Sequence, residues 1–544
     1  MGDVIQSLWG KMWGMHHKAK KTLMMSGDAP TPTAGTGTTK GKLNNVNPEK
    51  KPNYTKRQKA GLFLGPALFL FILLFLSPDG MSKGALAVLA GTAWIATWWI
   101  TEAVPIPVAS LLPIVLFPLT GAVDSAGAIT SAYADPNIFL FMGGFMIALA
   151  MEKWNLHKRI AMNIILVMGT STERLILGFM VSTGFLSMWI SNTATAMMMM
   201  PIALAVIYQV QDSMKEKKEQ TTNFSKAIML GIAYGASIGG LGTLIGTPPN
   251  TIFASVVKQL YGIEISFAKW MMFGVPLAVI LLGATWFYLV KVAFPTKIKE
   301  LPGGKQVIEK EKKALGVPGF EERLIFAVFV FTAFCWITRT FILTKFIPNL
   351  DDTIIAILAG IILFLLPAKS NGETRILAWA DAKNLPWGIL LLFGGGLAIA
   401  AGFKETGLAA WIGEQLTVLQ GVQFIIVVAM VTALVIFLTE LTSNTATATM
   451  MFPIMASLAL ALNVHPYSLM IASGVAASCA FMMPVATPPN AIVFGSGMIK
   501  IGDMVKAGFW INIFCIVFIT LMIYYALPAV WGIDLTTFPD GLEG

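Results

Sequence analysis

The hexapeptide Ser191-Asn192-Thr193-Ala194-Thr195-Ala196 returns 252 residues later as Ser443-Asn444-Thr445-Ala446-Thr447-Ala448, and each copy interrupts a long apolar run. A single Ser-Asn-Thr could cap a helix, and its alanines could let helices pack closely. Two copies with matching surroundings ask for more. At the same offset, Phe141-Met142-Gly143-Gly144 matches Phe393-Gly394-Gly395-Gly396 and Ser187 matches Thr439. Downstream, Thr247-Pro248-Pro249-Asn250 matches Thr487-Pro488-Pro489-Asn490 at an offset of 240, and the charged stretch QDSMKEKKEQTTN accounts for the missing 12 residues. Both halves share one plan: a glycine-rich span, an apolar region broken by SNTATA, then a span broken at TPPN.

The surroundings of the motif place it in a bilayer. The chain has 544 residues, of which 56% are hydrophobic and 12% charged, against about 25% charged in soluble domains. Mean hydropathy is +0.72. Spans of roughly 20 residues cross a hydrocarbon core of about 30 Å. Eleven are expected, near 60–77, 84–101, 104–120, 137–152, 227–262, 269–296, 323–346, 352–367, 386–402, 466–498 and 506–530.

The net charge of +9 is concentrated beside these spans rather than in a nucleic-acid surface. Residues 1–57 carry ten Lys/Arg and three acids, and residues 297–323 carry seven Lys/Arg. The positive-inside rule puts such stretches in the cytosol, and the acidic end, Asp534 to Glu543, then falls outside. The tail 1–57 is too poor in apolar residues to fold alone, although Trp9 and Trp13 among lysines suit an interfacial helix. Cys335, Cys479 and Cys515 have no paired spacing and read as packing residues. The expected organisation is a basic cytosolic tail (1–57), a first repeat (58–296), a cytosolic linker (297–322), a second repeat (323–532) and an extracellular tail (533–544).

The regions 174–209 and 423–462 stay outside the span count because SNTATA breaks each near its middle. About 17 apolar residues precede the first break and about 13 follow it, marginal or short for crossing. Each region reads as a re-entrant hairpin with the motif at its tip. Irregular backbone survives at membrane depth only where protein or a watery cavity satisfies it. Five full spans separate the hairpins, an odd number, so they enter from opposite sides and the repeat is inverted. The fold class expected is an all-α polytopic membrane protein, about eleven transmembrane helices plus two re-entrant hairpins. Inverted repeats with discontinuous helices build secondary transporters, whose sites lie at the repeat interface.

Broken helices set the chemistry. A half-helix starting at a tip aims N–H groups and partial positive charge into the cavity, whereas one ending there offers carbonyls. The first suits anions and the second small cations such as sodium. Ser, Asn and Thr serve both, since their oxygens and N–H groups donate to carboxylates or ligate hard cations. Paired prolines lack backbone donors, which is expected to free the carbonyls of Gly246, Thr247, Ala486 and Thr487. The glycines of SIGGLGTLIG permit close approach or unusual dihedrals. Glu102 and Glu440 are the acids near apolar segments, each either functional or a partner of a neighbouring helix. Met197–Met200 and Met450-Met451 read as flexible core filler.

With WITEAVPIPVASLLP (99–113), FLSMWISNTATA (185–196), FLTELTSNTATA (437–448) and both TPPN breaks, the chain resembles the divalent anion sodium symporter family of di- and tricarboxylate transporters over about residues 60–532. The resemblance implies an elevator-type homodimer with scaffold and transport domains in the cell membrane. By motif position it implies that Asn192, Thr193, Thr247, Asn444, Thr445, Thr487 and Pro488 contact substrate carboxylates. It further implies one sodium at Ser187, Ser191, Asn192 and Gly246 and another at Thr439, Thr442, Asn444 and Ala486, partly through carbonyls. Sodium symport and dicarboxylate exchange both occur in the family and stay open, as do a citrate carrier and an anion channel; no organic cofactor or nucleic acid is implied. An intramembrane enzyme is disfavoured, because His16, His17, His157 and His465 lie in the tail or near span ends and form no constellation with a nucleophile.

Overall fold

The computed structural model describes residues 54–539 apart from 170, 215–217, 297, 299–303 and 371, and every regular element among them is helical. The expectations for the tail up to residue 53, and for 540–544, lie outside the described residues. The first half contains α1 (Lys56–Phe75), α2 (Lys83–Thr101), α3 (Leu112–Leu119), α4 (Pro136–Lys153), α5 (Leu156–Met168), α6 (Thr172–Ser187), α7 (Asn192–Ser213), α8 (Lys218–Gly240), α9 (Pro248–Tyr261) and α10 (Phe267–Phe287). The second contains α11 (Phe320–Thr338), α12 (Asp352–Leu365), α13 (Trp387–Glu405), α14 (Leu408–Leu416), α15 (Phe424–Thr439), α16 (Asn444–Ala461), α17 (Pro466–Ala477), α18 (Pro488–Gly495) and α19 (Ile501–Leu521). Local chemistry starts many of them. Thr55 and Gln58 close a capping box at α1, and Ser82, Ser266 and Asp351 each accept a first-turn N–H.

Eight helical stretches among the described residues are long and apolar enough to cross a membrane, and four more apolar helices are shorter. The difference from eleven has physical causes. The spans expected at 227–262 and 466–498 are each split at TPPN, into α8 and α9 and into α17 and α18. Prolines at 105, 107, 113 and 118 cut the span near 104–120 into short pieces. Glu321, Glu322 and Arg323 load the first turns of α11 with charge. The eight also include α7 and α16, the second arms of the two expected hairpins. These arms have 22 and 18 residues, the first longer than the 13 counted for it, because the polar motif itself forms the first turn. The first arms, α6 and α15, have 16 residues each, which is short for crossing.

Packing repeats across the two halves. Within each half the first hairpin arm lies on the helix before the TPPN break, α6 on α8 and α15 on α17. Across halves the second arm lies on the helix after the other break, α7 on α18 and α16 on α9. Phe141 and Phe393, which occupy equivalent positions in the repeat, meet each other with ring centroids 5.1 Å apart. Glycines allow the closest approaches: a Cβ on Gly239 would collide with the Gly184 carbonyl, and one on Gly246 with the Gly240 carbonyl. Neither Gly239 nor Gly246 has a positive φ, so close approach, not an unusual dihedral, is what the SIGGLGTLIG glycines supply. The three cysteines are free and buried, as expected.

A buried ion pair joins α11, α12 and the loop before α10. Arg339 Nε lies 2.7 Å from Asp352 Oδ1, both residues being 5% exposed, and Arg339 Nη2 lies 2.6 Å from Glu264. Asp352 also accepts from the Phe267 N–H at 2.7 Å. Arg339→Met leaves Asp352 buried without its counter-charge and is expected to cost about 3–5 kcal/mol of stability. The melting temperature of the purified protein in detergent measures this, and the double variant Arg339→Met/Asp352→Leu should recover most of the loss.

Candidate binding site at the helix breaks

Each SNTATA copy begins a helix rather than separating two. The chain turns through residues 188–191 and 440–443, and Asn192 and Asn444 are the first residues of α7 and α16. TPPN follows the same rule, with Thr247 and Thr487 as N-caps and Pro248 and Pro488 as the first residues of α9 and α18. Proline suits that position, since the first-turn N–H has no intrahelical partner. Four helices therefore start at the residues singled out for substrate. Four others end beside them: α6 at Ser187, α8 at Gly240, α15 at Thr439 and α17 at Ala477. A helix start carries about +0.5 charge and a helix end about −0.5. Asn192, Thr193, Asn444, Thr445 and Pro488 thus occupy first turns, with Thr247 and Thr487 at the caps, while Ser187 and Thr439 occupy final turns.

The final turns present clusters of neutral oxygen. Ser187 Oγ donates to the Ala236 carbonyl at 2.7 Å, and the Asn192 side-chain amide lies against the same hydroxyl. With its nitrogen turned inward, the Asn192 amide would donate to the carbonyls of Ala236 at 3.2 Å and Gly246 at 3.3 Å. With its oxygen inward it joins the Ser187 hydroxyl and those two carbonyls in a set of four oxygens, the type of donor a hard cation takes. The second half repeats the pairing, Thr439 Oγ1 lying 2.8 Å from Asn444 Oδ1 and 2.9 Å from the Ala477 carbonyl oxygen, with one proton to donate between them. This chemistry fits sodium, which Ser187, Asn192 and Gly246 would hold in one half and Thr439, Asn444 and Ala486 in the other.

Other expected ligands are committed elsewhere. Ser191 Oγ accepts the Ala194 N–H at 3.2 Å, so this copy does cap its helix, whereas Ser443 makes no side-chain cap bond. Thr442 Oγ1 donates to the Leu438 carbonyl at 2.8 Å and lies 2.6 Å from Thr447 Oγ1, which holds the second tip together. The expectation of four freed carbonyls needs correction. The Asn250 N–H takes the Thr247 carbonyl and the Ala491 N–H takes that of Thr487, both at 3.1 Å. Gly246 and Ala486 are the two of the four without a backbone donor among the described residues.

The last residue of each TPPN holds its break open. Asn250 Nδ2 donates to the carbonyls of Gly240 at 3.1 Å and Thr243 at 2.7 Å, and Asn490 Nδ2 to those of Ala480 at 3.0 Å and Met483 at 3.1 Å. Sequence reasoning gave these asparagines no role, though their recurrence in both TPPN copies was the available signal. Glu440, 3% exposed, accepts from three successive backbone N–H groups, Phe481 at 2.7 Å, Met482 at 2.8 Å and Met483 at 2.9 Å. Asn512 Nδ2 on α19 adds a fourth bond at 2.7 Å. The carboxylate thereby ties the second tip to the second break. Glu102 does something else: it ends α2 in the left-handed region at φ 51, and its carbonyl accepts from Gln58.

Comparison with known proteins gives the family. Residues 56–536 match the family model described as the sodium:sulfate symporter transmembrane region. The sodium-dependent dicarboxylate transporter SdcS of Staphylococcus saprophyticus is 50% identical over 495 residues, 90% of this chain and 95% of that protein. SdcS of Staphylococcus aureus is 51% identical over 492 residues, 90% of this chain and 94% of that one. In fold alone, the YdaH transporter of Alcanivorax borkumensis is similar with a TM-score of 0.53 at 12% identity, covering 75% of this chain and 88% of that structure. MtrF of Neisseria gonorrhoeae is similar at 0.51 and 12%, covering 84% of this chain and 97% of its own. With the match running from α1 past α19, the chain is a multi-pass membrane protein of the sodium:sulfate symporter transmembrane family.

Proposed function

We propose that this protein carries four- and five-carbon dicarboxylates, of the succinate, fumarate, malate and 2-oxoglutarate type, across the cell membrane together with sodium. The observation that carries the reading is the convergence of motifs on helix ends: four helix starts bearing Asn and Thr, two from each half, beside four helix ends bearing hydroxyls and carbonyls. A dicarboxylate has two anionic ends, one for Asn192, Thr193 and Thr247 and one for Asn444, Thr445, Thr487 and Pro488. Neither SNTATA nor TPPN contains Lys or Arg, so neutral donors and helix dipoles hold the substrate and release remains easy. Sodium at the adjacent helix ends supplies the positive charge that draws two carboxylates into an apolar protein. The sodium dependence of the SdcS relatives favours symport over exchange. The two halves act as an inverted repeat, and the transport portion moves as an elevator against a scaffold that forms a homodimer. The basic N-terminal tail faces the cytosol and the C-terminus lies outside.

In proteoliposomes, an inward sodium gradient is expected to drive succinate uptake into vesicles without internal dicarboxylate. Uptake that needs preloaded dicarboxylate and ignores sodium would make the protein an exchanger. An outward gradient of unlabelled succinate should draw labelled succinate transiently uphill, which a channel cannot do. Asn192→Ala and Asn444→Ala each remove a donor to a charged group, worth about 1.5–3 kcal/mol or roughly 10- to 100-fold in affinity, and initial uptake rates should fall accordingly with the folded fraction unchanged. Wild-type rates in both variants would place the site elsewhere. Glu440→Gln puts an N–H₂ group among the donors of Phe481, Met482 and Met483 and is expected to lower stability by about 2–4 kcal/mol, read as a drop in melting temperature.

A further inference from the structure

Two buried hydroxyls, one in each half, take no part in the bonding described above. Ser237, in the last turn of α8, and Ser478, just after α17, are each 2% exposed, and neither hydroxyl has a hydrogen-bond partner. A serine in a helix ordinarily returns its hydroxyl to a carbonyl one turn back, as Thr432 does to Val428. Leaving such a group unmade when buried costs free energy, so a pair of them beside a binding site calls for a ligand.

Each serine directly follows the carbonyl that receives the hairpin hydroxyl. Ala236 accepts from Ser187 and precedes Ser237; Ala477 accepts from Thr439 and precedes Ser478. Along α8, successive residues turn by about 100°, which sets the direction of Ser237. Gly240 abuts Asn192 and Gly246, and Tyr234 reaches the other half, donating to the Phe481 carbonyl at 2.8 Å. Ser237 lies between these two directions on the helix, on the side where the first oxygen cluster meets the second break. Each half also has a second unmet oxygen, on the asparagine of its TPPN break. Oδ1 of Asn250 and Oδ1 of Asn490 are both buried and unpartnered, although the Nδ2 groups of the same amides clamp the breaks. An amide oxygen offers lone pairs alone, so what completes it is a donor or a cation.

Resting on the sodium reading proposed above, we infer that Ser237 and Ser478 are further sodium-binding residues, one in each half, whose hydroxyl oxygens add to the shells built on Ser187 and Asn192 and on Thr439 and Asn444. The chemistry is that of a hard monovalent cation, which gathers neutral oxygens from hydroxyl, amide and carbonyl groups, the set that Ser187, Ala236, Gly246 and Asn192 would offer with the amide oxygen turned inward. Because the hydroxyls are unpartnered without the ion, their removal should leave the sodium-free protein no less stable. That separates them from Asn250 and Asn490, whose amides hold the fold.

The test titrates purified full-length protein in detergent with sodium chloride, replacing choline chloride at constant ionic strength, and follows the melting temperature without substrate. Wild type should be stabilised by sodium. Ser237→Ala and Ser478→Ala should melt at or slightly above wild type in choline, and should need about tenfold more sodium for half of the stabilisation, the scale of effect seen when a metal site loses a supporting partner. Ser237→Cys and Ser478→Cys, equal in shape but offering sulfur, should shift the titration the same way. Alanine variants that titrate with wild type overturn the assignment, and a shift confined to one half overturns the pairing. A wild-type protein that sodium does not stabilise overturns the sodium reading as well, so the two failures are told apart.

Discussion

Everything in this molecule follows from helices that stop inside an apolar protein. A helix end leaves several backbone N–H or C=O groups without intrahelical partners, and lipid supplies none. The chain interrupts α6/α7, α8/α9, α15/α16 and α17/α18 within its buried core. It does so only because side chains take up part of the debt: Asn250 and Asn490 at the carbonyls, Glu440 at three N–H groups. On the proposed reading, the groups they leave uncovered, among them the carbonyls of Gly246 and Ala486, are what the site is made from. Structural wiring and ligand binding are therefore two allocations of one set of backbone groups.

The crosswise packing gives this local chemistry its two-ended form. If α7 packed on α9 and α16 on α18, each half would enclose a site of its own. Instead α7 lies on α18 and α16 on α9, so each second hairpin arm is held by the break helix of the other half and the two halves interlock. The glycines of α8 make the inner contacts possible. Gly239 meets the Gly184 backbone, and Gly240 meets Gly246 and Asn192, where any larger residue would separate the oxygens.

The repeated motifs made the plan of the fold readable in the sequence, since SNTATA and TPPN recur at nearly constant offsets and break apolar runs whose composition is unmistakable. Helix boundaries were less readable. Counting apolar residues treated Asn192–Ala196 as a gap, whereas these residues form the first turn of α7, which then runs on through the polar stretch to Ser213. A helix in a protein interior needs no apolar residue at every position, so hydropathy underestimates it. The long-range bonds were out of reach for another reason. Asn512 lies 72 residues from Glu440, and nothing in composition or spacing links an amide on α19 to a carboxylate at a hairpin tip.

The two halves carry out the same task with different chemistry. Position 188 in the first half corresponds to 440 in the second by the offset of 252, and 243 corresponds to 483 by the offset of 240. Both pairs are joined. In the first half the Thr243 hydroxyl donates to the Met188 carbonyl; in the second the Met483 N–H donates to the Glu440 carboxylate. A neutral bond thus stands where its mate is charge-assisted and roughly twice as strong. Glu440 also takes Phe481, Met482 and Asn512, so the second tip and break are bound to α19 as one unit, while the first tip is held to its break by single neutral contacts. The positions that meet are the same in both halves, while the bonds that join them are neutral in one and charge-assisted in the other.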